Sequence, residues 1–147
     1  MNKETIKKAV CVISAMIQVV TIGAVFVIND LTDKKAGVMH HVYYKRHQYE
    51  SGIYSTANLN WQVIVAALLG VVFTAIFIHA VKLKKGMFYK SQSALAALVG
   101  FSVIVVIKGS FFIDMLAYPY FIMAFEIAMG IQVMTVAAIG IFEKKSK

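Results

Sequence analysis

Residues 9–28 form a run of twenty residues without a single charge. A helix of about 20 apolar residues matches the hydrocarbon core of a bilayer, roughly 30 Å thick. Three more runs follow. The stretch 61–81 opens on Trp61 and is closed by Lys82, Lys84 and Lys85. The stretch 94–113 is interrupted only by Lys108, and the stretch 120–142 only by Glu126. From 94 to 142 there are 49 residues, too many for one crossing, so the chain turns between them. Residues 114–120, with Asp114 and Pro119, are the only polar, proline-bearing break there. Proline suits the first turn of a helix, where its missing N–H costs nothing.

Composition agrees with these runs. Hydrophobic residues make up 60% of the 147 and charged residues 15%, against about 25% charged in a soluble domain. A soluble fold of this length could not cover that much apolar surface, and the same excess excludes intrinsic disorder. Segment length and the lack of strict alternation favour helices over strands. The expectation is an all-α integral membrane protein of one domain, an antiparallel bundle of four transmembrane helices. They lie at 9–28, 61–81, 94–113 and 120–142, joined by an outer loop at 29–60, an inner loop at 82–93 and an outer turn at 114–119.

The basic residues set an orientation. With four crossings, Lys3, Lys7, Lys8, Lys82, Lys84, Lys85, Lys90, Lys144, Lys145 and Lys147 share one side. The other side holds Lys34, Lys35, Lys45 and Arg46, offset by Asp30, Asp33 and Glu50. The positive-inside rule places both termini in the cytoplasm of a multi-pass cell-membrane protein. The first run exceeds a usual signal-peptide core and no Ala-x-Ala site follows it, so it is read as an uncleaved anchor. The net charge of +8 sits beside the apolar runs, where lipid headgroups lie, and is not read as a nucleic-acid surface. Fourteen lysines against one arginine point to a bacterial source of low GC content. The single Cys11 permits neither an internal disulfide nor a cysteine metal cage.

Small residues recur at four-residue spacing in the pairs Ala66 and Gly70, Ala96 and Gly100, Ala124 and Ala128. This is read as helix packing within the chain, with a dimer face as the alternative. Phe111, Phe112, Phe121, Met123 and Phe125 gather at the outer end of the last hairpin, as core or lipid-facing surface.

Charges and amides inside the runs are the candidate functional residues, because hydrocarbon makes them costly. If the hairpin turns near Ala117, Lys108 and Glu126 sit at one depth, about 13 Å along their helices from the turn. They are expected to face each other or to share a recess. The readings are a structural ion pair, a snorkelling Lys108 beside a neutral Glu126, or a proton- or cation-coupled site. Gln18 and Gln132 fall near mid-membrane and are candidates to bond each other or to line a polar path. In the outer loop, His40, His41, Tyr43, Tyr44, Arg46 and His47 suit a short helix in the headgroup region or a partner contact. Its three histidines form no specific metal motif, and no metal is assigned. His79 has no second histidine at matching depth for a haem, and no cofactor is assigned. No Gly-rich phosphate loop, HExxH, GxSxG or CxxC occurs, so an enzyme is disfavoured.

The leading functional expectation is an accessory or regulatory subunit, or an oligomeric membrane component, acting through helix packing and its outer loop. Its partners would be membrane lipids and another membrane protein or further copies of itself. The alternatives are a small oligomeric transporter or channel using Glu126 and Lys108, and a lipid- or quinone-handling enzyme.

Overall fold

A computed structural model describes residues 2–144; Lys145 and Lys147, counted above among the same-side lysines, lie outside them. The described residues are helical, with no strand. The elements are α1 (Lys3–Lys34), α2 (Ala36–Glu50), α3 (Thr56–Lys82), α4 (Met87–Lys108), α5 (Ser110–Ile113) and α6 (Tyr118–Lys144). Four of them, α1, α3, α4 and α6, are long and apolar enough to cross a membrane.

α1, α3 and α6 outrun their apolar stretches at both ends, and α4 does so only at its start. α1 continues past Ile28 through Asp30 and Lys34, which pair at 2.6 Å one turn apart. α4 begins at Met87, inside the stretch read as inner loop, and leaves only a short turn after α3. The third run is broken near its end. Gly109 is extended (φ −74°, ψ 122°), which stops α4 at Lys108 before the single turn of α5. A Cβ at Gly109 would lie 2.5 Å from the Val105 carbonyl oxygen, so the break requires glycine. The Gly109 N–H still donates to that carbonyl at 2.7 Å, and the Tyr118 hydroxyl donates to the Ile107 carbonyl at 2.8 Å. Carbonyls orphaned at the helix end are satisfied in this way. Pro119 falls in the first turn of α6.

The four long helices pack in the order α1, α6, α4, α3. α4 and α6 form the centre, and α1 and α3 flank them. The buried side chains Phe121, Ile122, Ile139, Val103 and Val106 accordingly come from α6 and α4. The α3–α4 contact runs through small residues. A Cβ on Gly100 would sit 3.1 Å from Gly70 Cα and 3.5 Å from the Ala66 carbonyl oxygen. The Ala66–Gly70 and Ala96–Gly100 pairs therefore serve packing inside the chain, where small residues let backbones approach closely.

A buried amide network joins the central helices to α1. Gln18 Nε2 donates to Ser14 Oγ at 3.1 Å and to Gln132 Oε1 at 2.7 Å. Gln132 Nε2 donates to the Gln92 carbonyl at 3.0 Å and to Gln92 Oε1 at 2.6 Å. The hydroxyls of Thr135 and Ser14 are 2.8 Å apart. Both hydrogens of each donating amide are used, as burial demands.

The two ends of the bundle differ. At one end α2 folds back from an extended Lys35 onto α1 and α6, burying Val42. Arg46 pins it there. Its Nη1 and Nη2 donate to the carbonyls of Met115 (2.8 Å) and Ile113 (3.2 Å), and its Nε to Glu50 (2.7 Å). Phe121 packs edge-on against Phe26 at 4.9 Å and Phe112 at 5.3 Å beneath this end, while Phe111 stays exposed. At the other end Lys7, the α3–α4 turn and the last turns of α6 line one pocket. The amino-terminal segment, that turn and the carboxyl-terminal end of α6 thus lie together.

Candidate functional site

α3 and α6 both pack chiefly on α4, and the space left between them is a lateral groove. Its volume is about 600 Å³. Glu126, Met129, Gly130, Val133 and Met134 form its α6 wall, and Trp61, Gln62, Val65, Ala66 and Leu69 its α3 wall. Both sets recur every three or four residues, one face of a helix each. Val103 of α4 makes the floor. Small residues leave room: a Cβ on Gly130 would meet nothing within 4 Å.

The groove is apolar except at its α2 end. There the Tyr54 hydroxyl donates to Glu126 Oε2 at 3.1 Å. Tyr54 is buried in the turn after α2, with its ring 6.1 Å from that of Tyr49. Burial pushes the Tyr54 phenol above its ordinary range, and the neighbouring Glu126 charge pushes it further. Gln62 also lines this end, and its Oε1 is buried with no hydrogen-bond partner among the described residues. A buried acceptor without a donor is costly, the more so where no water replaces it. The groove therefore offers a carboxylate and an amide oxygen, both acceptors, at the head of an apolar slot.

The expected meeting of Lys108 and Glu126 does not occur. Lys108 Nζ donates to Asn60 Oδ1 at 3.0 Å on an exposed surface. It lines a separate cavity of about 340 Å³ with Glu50, Tyr54 and Tyr118. The break at Gly109 is the reason: α4 ends at Lys108 and does not continue towards the turn, so equal counts from Ala117 give different surroundings. Lys108 at a helix carboxyl end also meets the negative end of the dipole.

Gln18 and Gln132 are hydrogen-bonded to each other, and Gln92 completes their network. Arg46 is turned inward as a clamp, with its guanidinium 5.9 Å from the Tyr118 ring. His40, His41, Tyr43, Tyr44 and His47 are exposed along α2. Among the described residues no group of three His, Cys, Asp or Glu side chains could hold a metal ion.

Tyr54, Gln62 and Gln92 were not singled out in the sequence. Gln62 had a signal, an uncharged polar residue one position inside an apolar run. Gln92 lay in a stretch read as loop, and nothing local marks Tyr54 as the partner of a carboxylate 72 residues away. Comparison with known protein families, characterised sequences and solved structures finds no match.

Proposed function

We propose that this chain is an integral membrane protein with both termini on the cytoplasmic side, and that it works as an accessory subunit. Its lateral groove receives a transmembrane helix of another membrane protein. The observation that carries this reading is Gln62 Oε1, buried and without a partner among the described residues, in a slot that Glu126 also lines and that is otherwise apolar and small. A helix bearing a hydroxyl, amide or basic donor at that depth would satisfy both acceptors, and Gly130 would let its backbone approach.

A lipid chain would fill the slot but bring no donor to that depth. A second copy of the chain serves poorly as well. The exposed surfaces of α1 and α3 are apolar at Val19, Val20, Phe26, Leu68 and Val71. The hydroxyls of Thr21, Thr74 and Ser102 bond their own helices. A path for a transported ion is not supported, since Lys108 and Glu126 open on different cavities.

The test is a photo-crosslinking residue at Gly130 in native membranes. The expected product is a heteromeric polypeptide adduct that is lost on Glu126→Ala with Gln62→Leu. Adducts only to lipid, or only to a second copy of the chain, overturn the proposal.

A further inference from the structure

The end of the bundle opposite α2 holds a second site, and it is built from different residues. We propose that the pocket between the α3–α4 turn and the last turns of α6 binds the headgroup of an anionic phosphodiester lipid carrying a free hydroxyl. The inference rests on the membrane-spanning reading but not on the groove.

The pocket has a volume of about 730 Å³ and is lined by Lys7, Lys84, Lys85 and Lys144 against one carboxylate, Glu143. Lys7 is buried, and its ammonium bonds Glu4, an exposed partner, at 3.1 Å. The Lys85 ammonium lies 4.7 Å from the Tyr89 ring centroid. Lys84 and Lys144 make no side-chain hydrogen bond or ion pair among the described residues. Their excess of positive charge favours a phosphate, as basic pockets between membrane helices do.

The backbone presents Lys84 at some cost. α3 ends with the Lys85 N–H donating to the Ala80 carbonyl at 3.0 Å and the Lys84 N–H to the Val81 carbonyl at 3.1 Å. That is a Schellman turn, whose left-handed position is ordinarily glycine. Here it is Lys84, at φ 49°, the only non-glycine residue with positive φ among those described.

Glu143 decides the rest of the ligand. Its Oε1 accepts the Gly86 N–H at 2.6 Å, at the start of α4. Its Oε2 is buried and has no partner among the described residues. A ligand that brings only phosphate would leave that oxygen unsatisfied and set two anions together. A phosphodiester whose alcohol bears a free hydroxyl supplies both an anion for the lysines and a donor for Oε2. Beside the pocket, Ala137 and Ile141 are exposed on α6 and offer an apolar strip for the acyl chains.

The experiment uses the full chain in detergent micelles, with bound lipid counted by native mass spectrometry. Three lipids of identical acyl chains compete: phosphatidylglycerol, phosphatidylmethanol of the same charge but no hydroxyl, and zwitterionic phosphatidylcholine. The wild type is expected to retain phosphatidylglycerol over both others. Lys84→Gln with Lys144→Gln should reduce its preference over phosphatidylcholine by about tenfold. Glu143→Gln should abolish the preference over phosphatidylmethanol and keep that over phosphatidylcholine. Equal retention of all three lipids by the wild type overturns the proposal. So does an unchanged preference in the lysine variant. Displacement by equimolar glycerophosphoglycerol would assign the pocket to a soluble phosphodiester and overturn the lipid source. The photo-crosslink at Gly130 reads the groove separately.

Discussion

Tyr54 and Glu126 hold the turn after α2 to α6, one of the two central helices, through one 3.1 Å hydrogen bond from phenol to carboxylate. The bond reaches across 72 residues and sets the α2 end of the groove. Tyr54→Phe keeps the ring and removes the donor, leaving a half-buried carboxyl oxygen unsatisfied. The expected loss is about 1–3 kcal/mol, read from thermal unfolding in micelles. Glu126→Gln retains an acceptor for the phenol and should cost less than Tyr54→Phe. In a double-mutant cycle the two substitutions should couple.

The same bond gives an alkaline limit. Burial, and after it the Glu126 charge, keep the Tyr54 phenol protonated above its ordinary range. An unfolded tyrosine ionises near pH 10. The folded value is raised, so the contribution to stability is complete below about pH 10 and is lost as pH rises towards the folded value. Wild-type unfolding temperature should therefore fall more steeply than that of Tyr54→Phe above about pH 10. Absorbance at the phenolate band should show Tyr54 ionising only as the protein unfolds, a contribution missing from Tyr54→Phe.

Arg46 closes the same end by another means. Its guanidinium serves two backbone carbonyls and Glu50 at once, so the planar fork is the working feature. Arg46→Lys keeps the charge and loses the fork. The expected cost is about 1–3 kcal/mol. Hydrogen exchange should quicken over residues 36–50 and 110–117 and stay unchanged in α3. Exchange unchanged in the first two segments would refute the clamp.

Gln132 tests whether the central amides are glue. Gln132→Leu removes its bonds to Gln18 and to both acceptors on Gln92. At about 0.6 kcal/mol for each interhelical bond, the expected loss is about 2 kcal/mol. Adding Gln18→Leu removes an amide already stripped of that partner. The double variant should therefore lose less than the sum of the singles, measured by unfolding in the same detergent.

How much of this was legible in the chain depends on range. The four apolar runs are local, and hydropathy alone finds all four long helices. The meeting of Gln18 with Gln132 was open to a depth argument, because both lie near mid-span. Equal counts from the turn did not bring Lys108 and Glu126 together: α4 ends at Lys108, which bonds Asn60, and Glu126 bonds Tyr54. Arg46 and Tyr54 were illegible for another reason. Each acts on backbone or side chain about 70 residues away, and their residue types suit a headgroup surface equally well. The groove follows from α3 and α6 packing chiefly on α4, on either side of the space between them, an arrangement that no run of residues encodes.

Gly100 links this packing order to the proposed function. A side chain there would meet Gly70 Cα at 3.1 Å and Gly70 N at 3.2 Å, both backbone atoms that cannot rotate away. α3 must then move off α4, and the groove between α3 and α6 changes width. Gly100→Ala should cost about 1–3 kcal/mol as overpacking and weaken the Gly130 photo-crosslink. Gly130→Ala meets open space in a helix interior and should raise stability by about 0.5–1 kcal/mol. Two glycines on neighbouring helices are thus expected to respond oppositely to one methyl group. Equal effects in unfolding measurements would mean that the α3–α4 contact does not set the groove.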